Sequence, residues 1–125
     1  GVAFQLRWML PHIEALTGRP HDELVFAAGG ARPDAWAQIL ADVCDRPVRQ
    51  LADPTLTNCR GAALLAFHRL GQLDLATAGN LLVERRRYLP RAEYRDRYDD
   101  MAGRFVLAHE RLGPVFSGPS GGNDG

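Results

Sequence analysis

The first apolar positions, Val2, Leu6, Met9, Ile13 and Leu16, follow one another at steps of four, three, four and three, the period of one buried helical face. They predict a first helix that Gly18, Arg19 and Pro20 end. A kink is expected at Pro11, where proline removes a backbone bond and crowds the preceding turn. Residues 24–28 form a continuous apolar run, which suits a strand covered on both faces. Pro33 and Asp34 then open a second helix, because proline is preorganised for a first turn and a carboxylate favours that end of the helix dipole. Its inner face is Trp36, Ile39, Leu40 and Val43. Asp45, Arg46 and Pro47 break it, and residues 48–51 read as a second strand. Strand, helix, strand in that order implies a right-handed parallel crossover.

Residues 53–58 form a polar turn. A third helix is expected over 61–70, opening on the small residues Gly61, Ala62 and Ala63 and ending at Gly71. The run Glu84, Arg85, Arg86 and Arg87 reads as a solvated irregular segment, with a phosphate clamp as the alternative. Beyond Pro90, Tyr94, Tyr98, Met101, Phe105, Ala108 and Leu112 carry the strongest periodicity in the chain. They predict an amphipathic helix about 30 Å long with its aromatic residues in a core or interface. The tail at 117–125 is glycine-rich and polar and is expected to be disordered, leaving one domain over 1–116. Two strands among four helices make an incomplete layer, so further strands, and chain before Gly1, are expected outside this sequence. The open edge and apolar faces invite association, with a homodimer as one expected form.

Composition narrows the chemistry. The chain has 125 residues, 46% apolar and 24% charged, which fits one folded domain. Fifteen acidic residues balance fifteen basic ones, so the electrostatic footprint of a nucleic-acid or anionic-membrane binder is missing. Every basic residue is arginine. Without lysine, P-loop, Schiff-base and lysine general-base chemistries are excluded. No apolar run reaches the length of a membrane span, and no secretory leader pattern is present, which points to a cytoplasmic protein. Cys44 and Cys59 read as free thiols, and His12, His21, His68 and His109 are not spaced as metal ligands.

The most informative constellation is Gly29, Gly30 and Ala31, between the first strand and the second helix. In open parallel sheets ligands bind beyond the carboxyl ends of strands, and glycine admits close backbone approach to a nucleotide there. Two glycines also suit nothing more than a tight turn, and both readings stand at this point.

Taken together, residues 2–14 (VAFQLRWMLPHIE), 29–48 (GGARPDAWAQILADVCDRPV) and 60–71 (RGAALLAFHRLG) resemble the carboxy-terminal part of the FGGY carbohydrate kinases, most of all the xylulokinase-type members. The resemblance implies an α/β fold, a partial RNase H-like (actin-like ATPase) domain with a short parallel sheet flanked by helices. It implies that Gly29, Gly30 and Ala31 correspond to the family's adenosine motif, that Asp34 can reach the nucleotide, and that Gly61 opens a helix nearby. The usual motif reads Gly-Gly-Gly-Ala, a basic residue, Ser and Pro. Here Ala28 stands for the first glycine, and Pro33 and Asp34 for the last two residues.

The family's Asp-x-Gly-Thr phosphate loop and its catalytic aspartate have no counterpart in these residues, so no catalytic residue is assigned to this chain. The implied activity is ATP-dependent phosphorylation of a sugar or polyol by a full-length, xylulokinase-like protein, with Mg2+ held mainly outside this chain. These residues would supply the adenosine-binding part and be inactive alone. A non-catalytic nucleotide-binding or interaction module of the same fold is the alternative.

Overall fold

The computed structural model describes residues 1–27 and 29–116. The expectations at Ala28 and over the tail at 117–125 lie outside the described residues.

Helix α1 (Val2–Thr17) runs unbroken through Pro11 and is closed by Gly18 at φ 68°, a left-handed conformation that costs glycine no Cβ clash. Its buried stripe is Ala3 and Leu10, with Phe4 and Leu6 packed on the core, whereas Val2, Met9 and Leu16 face outward, Leu16 at 89% exposure. The expected face is therefore off in phase. Apolar residues lie around most of the first half of α1, so periodicity alone does not choose which side α2 and α5 will grip.

Strand β1 (Leu24–Phe26) pairs in parallel with β2 (Val48–Leu51), in register from Leu24 opposite Val48 to Phe26 opposite Gln50. A 3-10 turn (Gly29–Ala31) and helix α2 (Asp34–Cys44) make the crossover between them. Pro33 caps α2, and Asp45 ends it at φ 49°. The expected parallel pair is present, but the sheet is mixed: β3 (Glu84–Tyr88) lies antiparallel to β2, giving the order β1-β2-β3. The arginine run is thus an ordered edge strand and not an irregular segment. Its charged side chains are exposed, and charge on an edge discourages pairing with another chain.

Helix α3 (Thr57–Arg69) starts a turn earlier than the sequence suggests, after a 3-10 turn at Pro54–Leu56. The short α4 (Leu75–Ala78), unanticipated, starts at Asp74, whose carboxylate accepts from the Ala76 amide at 3.0 Å. Helix α5 (Arg95–Phe116) has 22 residues, about 33 Å at 1.5 Å per residue. Among the described residues no helix is long and apolar enough to cross a membrane.

The core forms where Leu24, Phe26, Val48 and Tyr88 on one sheet face meet Ala37, Leu40, Ala41 and Val43 of α2. Helix α1 joins through Ala3, Phe4 and Leu6, and α5 through Tyr98. Phe4 lies 6.2 Å from Tyr98 and 6.0 Å from Phe105, placing these two aromatic residues of the long helix at an internal contact. The other sheet face is only thinly covered. Val25 is 48% exposed, and α3, which lies on that side, has no buried residue. The expectation of a strand covered on both faces fails at β1 for this reason.

Candidate functional site

Because β1 and β2 run in parallel, the chain leaves both at the same edge of the sheet. It passes from β1 into the turn at Gly29–Ala31 and from β2 into the turn at Pro54–Leu56, and the two turns pack together. Ala31 is fully buried, while Gly29 and Gly30 are exposed. Among the described glycines, positive φ occurs at Gly18 and Gly71 and at neither of these two. A Cβ added to Gly29 or Gly30 would meet nothing within 4 Å. Neither backbone conformation nor crowding by the chain itself therefore demands glycine here, and what the bare positions offer is access to the main chain.

The turn is held from inside by Gln50, whose side chain is fully buried in central strand β2. Its Nε2 donates to the Ala31 carbonyl at 2.7 Å and to the Arg32 carbonyl at 3.3 Å, and lies 3.5 Å from Asp34 Oδ1. Its Oε1 accepts from the Tyr88 hydroxyl at 3.3 Å. Burial pushes the Tyr88 phenol above its usual range, and the neighbouring Asp34 carboxylate adds to the rise.

Asp34 opens α2, and its side chain is 44% exposed. Arg85 Nη2 approaches it to 3.4 Å and Arg86 Nη1 to 3.6 Å. In a regular strand these adjacent arginines would point to opposite faces. The ladder, however, steps from Gln50 opposite Arg86 to Leu51 opposite Glu84, which leaves Arg85 as the extra residue of a β-bulge. That irregularity lets both guanidinium groups reach one carboxylate.

Two clefts flank the paired turns. A polar one of about 360 Å³ is lined by Arg32, Asp53, Pro54, Thr55 and Arg85. An apolar one of about 240 Å³ includes Val25, Ala27, Leu51, Gly61 and Leu64. The structure thus brings Gly29, Gly30, Ala31 and Asp34 together at one strand-to-helix junction, and sets Gly61 on the neighbouring cleft. A Cβ at Gly61 would also meet nothing within 4 Å, although the residue is inside a helix. Gly61→Ala is expected to stabilise the chain by about 0.5–1 kcal/mol, the usual helical preference for alanine, visible as a higher melting temperature.

Gln50, Tyr88, Arg85 and Arg86 were not singled out as parts of this junction from sequence. A signal for Gln50 existed: it stands two residues after Val48 and so shares the core-facing side of the strand, an unusual place for an amide. The bulge that redirects Arg85 leaves no such mark.

Other polar groups serve the fold. The Asp42 carboxylate, at 0% exposure, accepts from Arg91 Nη2 at 2.6 Å, from the Arg91 backbone amide at 2.9 Å and from Gln38 Nε2 at 2.9 Å. Burial alone would raise its pKa, but the bonds from Arg91 and Gln38 outweigh this and hold it below the usual carboxylate range. Cys44 is buried and its thiol is pushed up to about 11, so it carries no reactive thiolate, whereas Cys59 is exposed. His109 packs 4.8 Å from the Trp8 ring. Among the described residues no three His, Cys, Asp or Glu side chains converge as metal ligands.

A profile of the C-terminal domain of the FGGY family of carbohydrate kinases matches residues 1–70. The chain belongs to that family. An autoinducer-2 kinase of Enterobacter sp. (strain 638) is 35% identical over 113 residues, covering 87% of this chain and 21% of the relative. The Klebsiella pneumoniae autoinducer-2 kinase is 34% identical over 112 residues. Among solved structures, the xylulose kinase of Rhodospirillum rubrum superimposes with a TM-score of 0.73 at 27% identity, over 92% of this chain and 23% of its own. The gluconate kinase of Lactobacillus acidophilus gives 0.74 at 19% identity, over 90% of this chain and 23% of its own, a likeness of fold alone. The chain therefore spans about a fifth of the length of the FGGY relatives it matches, and its small mixed sheet with packed helices is a part of their actin-like ATPase fold.

Proposed function

We propose that this chain is the carboxy-terminal, nucleotide-binding part of an ATP-dependent carbohydrate kinase, with residues 1–116 contributing the wall on which adenosine rests. The observation that carries the reading is the exposed glycine pair at the carboxyl edge of the parallel strands, where the backbone itself does not call for glycine. The apolar cleft beside Gly61 suits a flat base, and the polar cleft lined by Arg32 and Arg85 suits the anionic end of a nucleotide. Asp34 stands between the glycine turn and the arginines, within reach of a bound nucleotide.

Phosphoryl transfer depends on positioning and on neutralising charge along the phosphates, to which magnesium contributes when bound. Under this reading the magnesium ligands, the phosphate loop and the base that accepts the acceptor's proton belong to further chain. Thin cover over α3 and the second sheet face fits packing against such chain. The acceptor is a sugar or polyol hydroxyl. Xylulose draws on the Rhodospirillum neighbour, and autoinducer-2 on the relatives of higher identity.

The test is ATP turnover by the complete polypeptide against a panel of xylulose, other pentoses, hexoses, polyols and autoinducer-2. Acceptor-dependent ADP release is expected from the complete polypeptide and none from residues 1–125 alone. A complete polypeptide that binds ATP but phosphorylates nothing on the panel would favour the non-catalytic alternative.

A further inference from the structure

We propose that Gln50 is a positioning residue for nucleotide binding, an internal strut that fixes the Gly29–Ala31 turn from the side opposite the ligand; this rests on the adenosine reading above. A buried amide has two N–H donors and one carbonyl acceptor to satisfy. Gln50 directs its donors to the carbonyls of Ala31 and Arg32, and its acceptor to the Tyr88 hydroxyl. Only this orientation serves all three neighbours, since reversing the amide would set its oxygen against two carbonyl oxygens and the Asp34 carboxylate.

The consequence is mechanical. The turn has no regular ladder to hold it, and its outer side, at Gly29 and Gly30, is open. Gln50 ties the inner carbonyls to the central strand, and Tyr88 anchors Gln50 in turn from β3. With those carbonyls engaged inside, the exposed glycine backbone is presented outward in one arrangement, so ordering it on ligand arrival costs less entropy. The bulged strand that brings Arg85 and Arg86 onto Asp34 is the same strand that carries Tyr88. The site is thus supported across all three strands.

The test compares Gln50→Glu, Gln50→Leu and Tyr88→Phe in the complete polypeptide. Each is titrated with the fluorescent nucleotide mant-ATP and assayed for ATP KM, acceptor KM and kcat with the best acceptor of the panel. Gln50→Glu keeps volume and the acceptor for Tyr88 but loses a donor pair, so it should weaken mant-ATP binding and raise ATP KM about tenfold, as the loss of a buried hydrogen bond does. Gln50→Leu should match it, and Tyr88→Phe should cost about threefold, since only the strut's anchor is removed. Acceptor KM and kcat at saturating ATP should stay within twofold.

Variants that fold yet keep the wild-type mant-ATP Kd would overturn the proposal, as would acceptor KM and kcat shifting along with ATP KM. If both Gln50 variants fail to fold, Tyr88→Phe decides: an unchanged Kd sinks the strut. Gly30→Leu, run beside them, separates the two layers. A normal Kd there removes the adenosine reading itself, whereas a weakened Kd there with normal Gln50 variants removes only the strut.

Discussion

Gly30→Leu is expected to leave the fold intact and to weaken ATP binding by on the order of a hundredfold, a cost of a few kcal/mol typical of forcing a side chain into occupied space. The two halves of this expectation have separate sources. A side chain at residue 30 meets no neighbour within 4 Å and needs no left-handed φ, so unfolding free energy should shift by less than about 0.5 kcal/mol, as for ordinary surface substitutions. The same side chain would fill the space through which, on the adenosine reading proposed above, the nucleotide reaches the main chain. Gly30→Ala, with a single methyl, should fall between. Thermal melting and mant-ATP titration of the same complete polypeptide read both halves.

Arg91→Ala is expected to destabilise the protein, because it removes the charged partner of a carboxylate that has no exposure of its own. The reason lies in Asp42, whose carboxylate has no exposure and depends on Arg91 for its shortest bond. Arg91 itself is only partly covered, so losing Asp42 costs less than stranding it. Because the carboxyl is held below its ordinary range in the folded protein, its contribution is present above the unfolded pKa of about 4 and is lost as pH falls through the folded value. In the variant that bond is missing and protonation relieves the stranded charge. The stability gap between wild type and Arg91→Ala should therefore narrow as pH is lowered from 7 toward 4. Urea denaturation across that range checks it; a constant gap would mean that charge at Asp42 is not what Arg91 supports.

Much of the scaffold was legible in the chain because it depends on short-range rules. The breakers at Gly18, at 45–47 and at Gly71 bound real helices, and the run at 24–28, of which Leu24–Phe26 forms the strand, followed by a helix and the run at 48–51, produced a parallel pair. The phase of α1 was not legible, because its apolar residues nearly encircle it and only the positions of α2 and α5 choose a face. Strand β3 was hidden by its own composition. Three arginines erase the alternation that marks a strand, and what orders them is pairing with β2 and carboxylates at Glu23 and Asp34, both brought near by the fold.

The candidate site divides in the same way. Gly29, Gly30, Ala31 and Asp34 are contiguous enough to be read as one motif, and Gly61 came with the resemblance to the family. Gln50, Tyr88 and Arg85 reach the junction only through strand pairing and a one-residue bulge, which a linear pattern does not encode.

The most direct measurement is a crystal structure of the complete polypeptide with magnesium and the non-hydrolysable analogue AMP-PNP. Adenosine should lie against the main chain of residues 29–31, within van der Waals distance of Gly61, with the Gln50 amide still bonded to the Ala31 carbonyl behind it. Adenosine bound elsewhere, with Gly29 and Gly30 still facing open solvent, would contradict the assignment.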